Sequence, residues 1–397
     1  MQRELKKPEN GPVQGKGFPK EPMENVPAER IREMLLGRKF EEAAAMGERA
    51  IPNLILALGD EDKGVRSEAV CAIVAIGAPA VPALASALKD GNGRVQEQAA
   101  FVLVKIAEGH PLRDWRAALP TLVESLRSGN TWVRGHAAQA LEILVEKHPE
   151  YEWAGAVPVF IEALGCKDPS VRARSAGALK EIAKRHPEYD LEEAVPVLIE
   201  ALNDENAWVK RCTYEALKNI VRGHSEHGSG KAIAALVECL RRTDEWVKFR
   251  ASELLVEIGA PAAPALIGLL GDVDDDVRKI AATTLVKIGL GTLTLKDRVL
   301  CLLALSETDD VIAIGISAVP ALVECMKHRD EDMWQKAVFV LGEMAKARPE
   351  EVAHAIVDYV NGNGGDALLE INEGNDGAAR GISQVLLKCG EVMQNAA

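Results

Sequence analysis

The sequence predicts an all-α solenoid, a stack of antiparallel helix pairs, from two observations. The first is an internal repeat, in which a Pro, once replaced by Ala, is followed thirteen residues later by an apolar residue that is nearly always Val. The second is an apolar stripe at four, eight and eleven residues after that Val, which lies on one face of a helix. Self-similarity at a period of this length is typical of solenoids. The repeated pairs are Pro52/Val65, Pro82/Val95, Pro120/Val133, Pro158/Val171, Pro196/Val209, Ala234/Val247, Pro264/Val277 and Pro320/Met333.

Each repeat unit is predicted to contain a first helix with the Pro near its start and a second helix that opens at the repeat Val. The position four residues after the Val is usually Ala, as at Ala69, Ala99 and Ala137, which lets a neighbouring helix approach closely. The composition agrees, because 47% hydrophobic residues with only 4% aromatic residues suit packed helices better than strands.

The spacing of the repeats is uneven. Successive Pro or Ala positions lie 30, 38, 38, 38, 38, 30 and 56 residues apart. Eight extra residues amount to about two helical turns. We therefore expect an added turn before the Pro of the long units, a kink at that Pro, and a thicker slab of helices in the middle of the array. The last interval is too long for one unit and predicts an irregular, compressed helix pair at about 291–318.

The chain is predicted to have four segments. Residues 1–26 are rich in Pro and Gly and are expected to be a flexible tail, with a partner-binding segment as the alternative. Residues 27–49 are expected to be capping helices that shield the first apolar face. Residues 50–348 carry the repeats, and 349–397 form a capping helix pair with a Gly/Asn-rich loop at 361–375.

The short units carry the sequence AVPAL, then Asp, then Val-Arg as in Val65-Arg66, then Ala-x-x-Ile-Gly. These residues resemble HEAT repeats and look most like those of the phycobilisome-lyase type. The resemblance covers about residues 50–348. It implies a right-handed α-solenoid, a HEAT-like superhelix, whose second helices line a concave face, and a family composed mostly of scaffolds and adaptors with a few enzymes. Because the shared pattern is a packing pattern, it indicates fold far more strongly than function.

Charge and cysteine content narrow the class of function. The formal net charge of −13 argues against indiscriminate binding to nucleic acid or to an anionic membrane. Seven cysteines without a CxxC motif match neither a disulfide framework nor a zinc site, and they favour a reducing, cytoplasmic compartment. The N-terminus has no apolar signal core and no run of 18 apolar residues occurs, so we expect neither secretion nor membrane insertion.

Enzyme and metal motifs are absent from the sequence. It contains no GxxxxGK[ST], GxSxG or HExxH, and no His-Glu dipeptide of the kind found in the di-iron HEAT hydroxylases. We predict no catalytic residue, no cofactor and no metal site. Four histidines recur every 38 residues, but helices about 8–10 Å apart cannot bring them to one zinc ion. We expect them to bond the last carbonyls of their helices. They are His110, His148, His186 and His224.

The first candidate contact series is basic. A cation follows most repeat Val residues, where it opposes the helix dipole and needs an acid, and an Asp in the preceding turn supplies one. The interpretation is an Asp–Arg ladder that ties the turns of adjacent units together. An anion-binding groove is the alternative in the middle units, where additional cations exceed the acids. The residues are Arg134, Arg172, Arg174, Lys210, Arg211, Lys248 and Arg250.

The second candidate series is aromatic. Trp132, Trp208 and Trp246 each lie immediately before the repeat Val, and Trp334 is shifted by one position. These rings either pack over the turn of the neighbouring unit or form an exposed ridge of the residue type most enriched at binding hot spots. The sequence leaves both open.

The sequence as a whole predicts a non-catalytic scaffold or adaptor that binds a protein partner across several units. One alternative, from the resemblance alone, is a bilin-lyase-like or cofactor-attachment subunit. The other is a nucleic-acid-binding HEAT-like protein, which the net charge disfavours.

Overall fold

The computed structural model describes residues 26–109, 114–223, 230–242, 244–326, 331–362 and 376–396. Within these ranges every regular element is a helix, which confirms the predicted all-α solenoid class. The chain divides into two compact units, residues 1–137 and 138–397, which are described separately.

The first unit begins with two short helices that pack against the first repeat. Arg32 and Asp60 form an ion pair at 2.8 Å between the first helix and the first repeat turn. In the repeats that follow, first helices α3, α5 and α7 contact one another in one layer, and second helices α4 and α6 contact each other in another. The helices are α1 (Ala28–Leu36), α2 (Phe40–Ala45), α3 (Ile51–Ala57), α4 (Lys63–Ile76), α5 (Val81–Ala87), α6 (Gly93–Gly109), α7 (Leu119–Ser125) and the start of α8 (Thr131–Lys147).

The second unit repeats this two-layer arrangement after the end of α8. Its helices are α9 (Val157–Ala163), α10 (Pro169–Arg185), α11 (Ala194–Ala201), α12 (Ala207–Gly223), α13 (Gly230–Arg242), α14 (Glu245–Ile258), α15 (Ala263–Leu269), α16 (Asp275–Ile288), α17 (Leu295–Ala304), α18 (Thr308–Ile314), α19 (Val319–Cys325), α20 (Glu331–Ala347), α21 (Pro349–Gly362) and α22 (Asp376–Ala396). Second helices α10, α12, α14 and α16 each contact the next, and so do first helices α11, α13 and α15. The short pair α17 and α18 lies within 291–318, and the irregular unit expected there stays a prediction.

The repeat Val is the third residue of each second helix and is buried, as at Val171, Val209 and Val247. The helix starts before the Val because the residue three positions earlier caps it with an Asp or Asn side chain. Asp244, for example, accepts a hydrogen bond from the backbone N–H of Val247 at 2.9 Å. Such a cap satisfies one of the free N–H groups of the first turn and stabilises a helix by about 1 kcal/mol.

The long units do not have the predicted kink. In most first helices the Pro is the second residue, as for Pro158 in α9, where its missing N–H costs no helical hydrogen bond. The extra residues instead lengthen the second helix from 14 residues in α4 to 17 in α10 and extend the connection, which is 148–156 in a long unit and 77–80 in a short one. The added helix amounts to three residues in the second helix and not to two turns before the Pro. Where Ala234 replaces the Pro, α13 begins at Gly230, four residues before Ala234.

Glycines with positive φ end the second helices of short units. Gly77, Gly259 and Gly315 have φ of 74°, 75° and 79°. Their ψ values, −138° at Gly259 for instance, lie in a region that side chains with a Cβ avoid. These glycines let the chain reverse into the next first helix within a few residues.

A pair of Gly→Ala substitutions tests this conformational requirement. Gly259→Ala forces a Cβ onto a positive φ and should destabilise the second unit by about 1–3 kcal/mol. Gly268→Ala lies inside α15, where an added Cβ meets no atom within 4 Å, and should stabilise it by about 0.5–1 kcal/mol through helix propensity. Urea unfolding followed by circular dichroism measures both changes. Equal stability of Gly259→Ala and wild type would contradict the argument.

Candidate functional site

The arginines that directly follow a repeat Val fold back onto their own turns. Nη1 of Arg172 donates to the carbonyls of Cys166 and Lys167 at 2.8 and 2.9 Å. Arg134 likewise donates to the carbonyl of Ser128 at 2.6 Å. Arg66 and Arg278 repeat the contact in their turns. These side chains therefore stabilise the chain reversal between the helices of one unit.

Two rungs of the predicted Asp–Arg ladder are present between adjacent units, Arg172 with Asp204 and, at 3.8 Å, Lys210 with Asp244. Arg172 donates to both carboxylate oxygens of Asp204 in the next turn, at 2.5 and 2.9 Å. Burial, the largest single effect, opposes the ionisation of Asp204, but the hydrogen bonds from Arg172 and from the backbone of Asn206, together with the nearby positive charges, lower the pKa of Asp204. The predicted ladder is therefore partly correct. Arg172 ties two adjacent units together, but the contact that recurs at the arginines after the repeat Val is with backbone carbonyls of their own turns.

The predicted tryptophans differ in exposure. Trp132, in the first unit, is 67% exposed, and its ring stacks on His136 with a centroid distance of 6.3 Å. Trp246, in the second unit, is 36% exposed. Trp208 and Trp334 are half-buried. Trp132 thus packs on His136, and both Trp132 and Trp246 still present part of their rings to solvent.

Cations lie over the two tryptophans of α12 and α14. The guanidinium of Arg174 on α10 lies 5.1 Å from the ring centroid of Trp208. Nζ of Lys210 lies 5.1 Å from the Trp246 ring, and the guanidinium of Arg250 lies 5.5 Å from the same ring. Cation–π attraction at these distances contributes about 0.5–1 kcal/mol per pair at exposed sites. The sequence-predicted Trp and Arg series therefore meet in the second unit.

Arg250 is fixed by three aromatic rings and one carboxylate. Besides Trp246, its guanidinium lies 4.6 Å from the Tyr214 centroid and 5.5 Å from that of Phe249. Nη1 donates to Glu253 at 2.6 Å, and the Tyr214 hydroxyl donates to the same carboxylate at 3.2 Å. Burial, the largest single effect, opposes the charge on Arg250, but the hydrogen bond to Glu253, the attraction of that carboxylate and the contact with Tyr214 together raise the pKa of Arg250.

These side chains line a groove of about 650 Å³, here named the aromatic–cationic groove. Its lining residues are Ala207, Lys210, Arg211, Tyr214, Glu215, Trp246 and Arg250. Sequence analysis selected Lys210, Arg211, Trp246 and Arg250 and missed Tyr214 and Glu215. The signal for the missed pair was helical spacing, since residues three and four positions after Arg211 share its face of α12.

A second groove, of about 470 Å³, lies beside the first, and Arg211 and Glu215 border both. Its lining residues are Lys180, Glu181, Lys184, Arg211, Cys212, Glu215 and Asn219. The two grooves together extend from α10 across α12 to α14.

Arg174 is positioned by a half-buried acid, Glu142. Its Nη1 donates to Glu142 at 2.9 Å. The Glu142 carboxylate lies against the backbone of Gly177, where an added Cβ would be 2.3 Å from its Oε1, so the glycine makes room for it. Burial raises the pKa of Glu142 above its usual value, and the attraction of Arg174 only partly offsets this.

The remaining predicted site residues lie elsewhere. Lys248 on α14 donates to Glu245 at 2.9 Å, in the first turn of the same helix. Trp334 lies on α20, and Trp132 and Arg134 belong to the first unit. Their role as contact residues stays a prediction.

The described histidines of the 38-residue series make contacts that the sequence analysis missed. Nδ1 of His148 lies 2.7 Å from Glu150, and its ring stacks on Tyr151 at 4.3 Å. His186 repeats both contacts with the Glu and Tyr that follow it, at 2.9 and 4.6 Å. These contacts hold the turn after each long second helix. The members outside the described residues are His110 and His224.

Among the residues that the structure describes, no group of three or more His, Cys, Asp and Glu side chains is arranged to hold a metal ion. No single described helix has the length and apolarity to cross a membrane. Two bent pairs, Lys63–Ile76 with Ala78–Ala87 at 112° and Glu245–Ile258 with Ala260–Leu269 at 118°, pass that test by length and composition only.

The two layers of paired helices and the buried Val positions define an α-solenoid. The sequence model of HEAT repeats matches residues 40–104, 157–255, 218–286 and 233–315, which together span more than half of the chain. The chain belongs to the HEAT repeat family. The finer resemblance to phycobilisome-lyase repeats stays a prediction.

Solved structures similar to this chain include engineered proteins and a designed armadillo repeat protein. An engineered protein 27% identical covers 53% of this chain and 97% of its own, with a TM-score of 0.38. Another, 22% identical, covers 93% and 94%, with a TM-score of 0.41. A designed armadillo repeat protein in complex with the peptide (KR)4 is 20% identical over 53% of this chain and 99% of its own, with a TM-score of 0.39. No curated protein sequence matches the chain.

The raised pKa of Glu142 predicts a pH-dependent effect of Glu142→Gln. A carboxyl whose folded pKa is raised favours the fold most below its unfolded pKa, and that advantage is lost as the pH rises through the folded pKa. Glu142→Gln removes this loss, so its stability relative to wild type should increase from about pH 4 to about pH 7. Urea unfolding at both pH values measures the difference.

Glu257→Gln is the matched control. Hydrogen bonds from Arg222 lower the pKa of Glu257, so this variant should lose stability relative to wild type over the same pH range. The argument for Glu142 would fail if both variants changed in the same direction.

Proposed function

We propose that this HEAT repeat chain is a non-catalytic scaffold that binds a protein partner through the aromatic–cationic groove. The observation that carries this proposal is the convergence of Tyr214, Trp246, Arg211 and Arg250 on one groove from two adjacent repeat units. Trp, Tyr and Arg are the residue types most enriched at the hot spots of protein interfaces. A concave site that combines them is therefore suited to anchor a partner's side chains.

Preorganisation supports the same proposal. Arg250 is held by Glu253 and three rings, and Lys210 lies over Trp246. Ordering a free side chain on binding costs about 0.5–1.5 kcal/mol. Side chains that are already ordered avoid this cost, so the groove keeps more of its contact energy as affinity.

Arg174 and Trp208 extend the proposed contact surface toward α10. Glu142 holds Arg174, and Arg174 covers one part of the half-buried Trp208 ring. Arg174 and Trp208 thus form the same kind of cation–π contact as Lys210 and Trp246, one repeat unit earlier in the chain. A partner that spans both units would meet two aromatic anchors, as a scaffold surface requires.

The cysteines support a non-catalytic role. Burial raises the pKa of Cys239 and Cys301 to about 11 and that of Cys325 to about 12. These thiols remain protonated near neutral pH and are poor nucleophiles. All seven cysteines are free thiols, which favours a reducing compartment, and we place the protein in the cytoplasm on this ground.

The proposal predicts that Trp246→Ala loses the partner. Tagged full-length protein is incubated with lysate of the source cells, and bound proteins are quantified by mass spectrometry. Recovery of the specific partner should fall by at least about tenfold, because truncating an aromatic hot spot costs about 2 kcal/mol or more. Since Trp246 is 36% exposed, helix content should change little.

Phe339→Ala is the control, because Phe339 is an exposed aromatic residue on α20 outside the groove. It should recover the partner at the wild-type level. Equal recovery by Trp246→Ala and wild type would refute the groove as the contact. Circular dichroism melting of both variants separates loss of binding from loss of fold.

A further inference from the structure

We propose that the occupant of the groove is an extended acidic segment of the partner protein, which lies across α12, α14 and α16. This inference rests on the proposed function and adds the chemistry and length of the bound segment. It is carried by the unpaired charges of these helices, by the exposed rings of α14, and by the spacing of the helices.

Four cations of the second helices, here named the unpaired cations, form no ion pair with any residue that the structure describes. Lys184 lies on α10, Arg211 and Lys218 on α12, and Lys287 on α16. On the same second helices, α10, α12, α14 and α16, two acids likewise form no ion pair with a described residue, Glu215 and Asp276. Positive charge is therefore in excess here, although the whole chain has a net charge of −13.

The other cations of this surface are already neutralised. Arg174 pairs with Glu142 and Arg250 with Glu253, and Lys210 lies 3.8 Å from Asp244. Their acids orient them, but they add little net field at a distance. The attraction for a ligand therefore comes mainly from the unpaired cations, and the ligand that they attract is anionic.

A protein segment fits this surface better than a nucleic acid. Unspecific binding of single strands uses open aromatic faces on which bases stack. Here Lys210 and Arg250 lie over Trp246, and Arg174 lies over Trp208. Because cations already occupy these ring faces, the surface is suited to the carboxylates of a protein segment and not to stacking bases.

Helix spacing sets the length of the segment. Packed helices lie about 8–10 Å apart, so α12 and α16 are separated by about two such spacings. Lys287 also lies eight positions further than Arg211 from the repeat Val of its own helix, which adds about 12 Å along the helix axis. The two positions are therefore about 20–23 Å apart, and because an extended chain advances about 3.3 Å per residue, about six or seven residues separate the two carboxylates that reach these cations. The middle of the segment then lies over α14, where Phe249 is 52% exposed beside Trp246. We therefore infer acidic residues at both ends and an apolar residue between them.

The test is fluorescence polarisation with labelled peptides and the full-length chain. The first peptide is Glu-Glu-Ser-Gly-Leu-Gly-Ser-Glu-Glu, which has the inferred spacing. The second has the same composition with its four glutamates adjacent, and the third replaces every Glu by Lys. The spaced peptide should bind at least about tenfold more tightly than either of the others, with affinity that falls as salt rises. Equal affinity for the spaced and clustered peptides would overturn the inferred geometry.

Charge-reversal variants locate the binding. Arg211→Glu and Lys287→Glu should each weaken the spaced peptide by about tenfold, because each places a like charge against a carboxylate. Lys167→Glu makes the same change of charge at an exposed turn position and should leave affinity unchanged. Wild-type affinity of both Arg211→Glu and Lys287→Glu would overturn the inference. So would tighter binding of single-stranded DNA of equal charge than of the spaced peptide.

Failure of this inference is distinguishable from failure of the proposed function. If Trp246→Ala loses the cellular partner while the spaced peptide does not bind, the groove is a protein contact but its ligand is not an acidic segment. If Trp246→Ala keeps the partner and the peptide does not bind, both proposals fail.

Discussion

The surface described above depends on how closely the second helices approach each other at their buried seam. Each helix places the repeat Val on this seam, and most place Ala four residues later, as at Val247 and Ala251. On α10 and α12 the small residues Ser175 and Thr213 take the Ala position and are fully buried. Burying one Val contributes about 1.5–3 kcal/mol, and the small neighbour allows helices to pack at short range. That short range brings Arg174 of one unit over Trp208 of the next.

The repeat architecture was predictable because it depends on which side-chain types recur along the chain. Periodic Val and Ala mark the buried face, and the long last interval predicted a helix pair at about 291–318, where α17 and α18 lie. The fate of the extra eight residues was not predictable from length alone. It depends on the rule that Pro belongs in the first helical turn, which fixes the start of the first helix and sends the added residues into the preceding connection and the second helix.

The candidate site was predictable only in part, for a reason visible at Arg172 and Arg174. Both follow Val171 closely, and sequence analysis treated them as members of one basic series. Residues two positions apart on a helix point in directions that differ by about 200°. Arg172 therefore reaches the turn carbonyls and Asp204, while Arg174 lies over Trp208. Backbone carbonyls do not show in a sequence, and neither does the register of the neighbouring helix that brought Tyr214 to Arg250.

In the groove, different cations provide a fixed geometry and a long-range attraction. Cations that share a ring, such as Lys210 and Arg250 at Trp246, repel each other, and the ring and their acids offset that repulsion. The same neutralisation fixes their positions and removes most of their long-range attraction. Arg211 makes no such pair with a described residue, so it keeps its field but has no fixed position. Paired cations and rings thus give the groove its shape, while unpaired cations give it its attraction. A partner that used only the paired cations and rings would associate slowly, and one that used only the unpaired cations would bind without a fixed register.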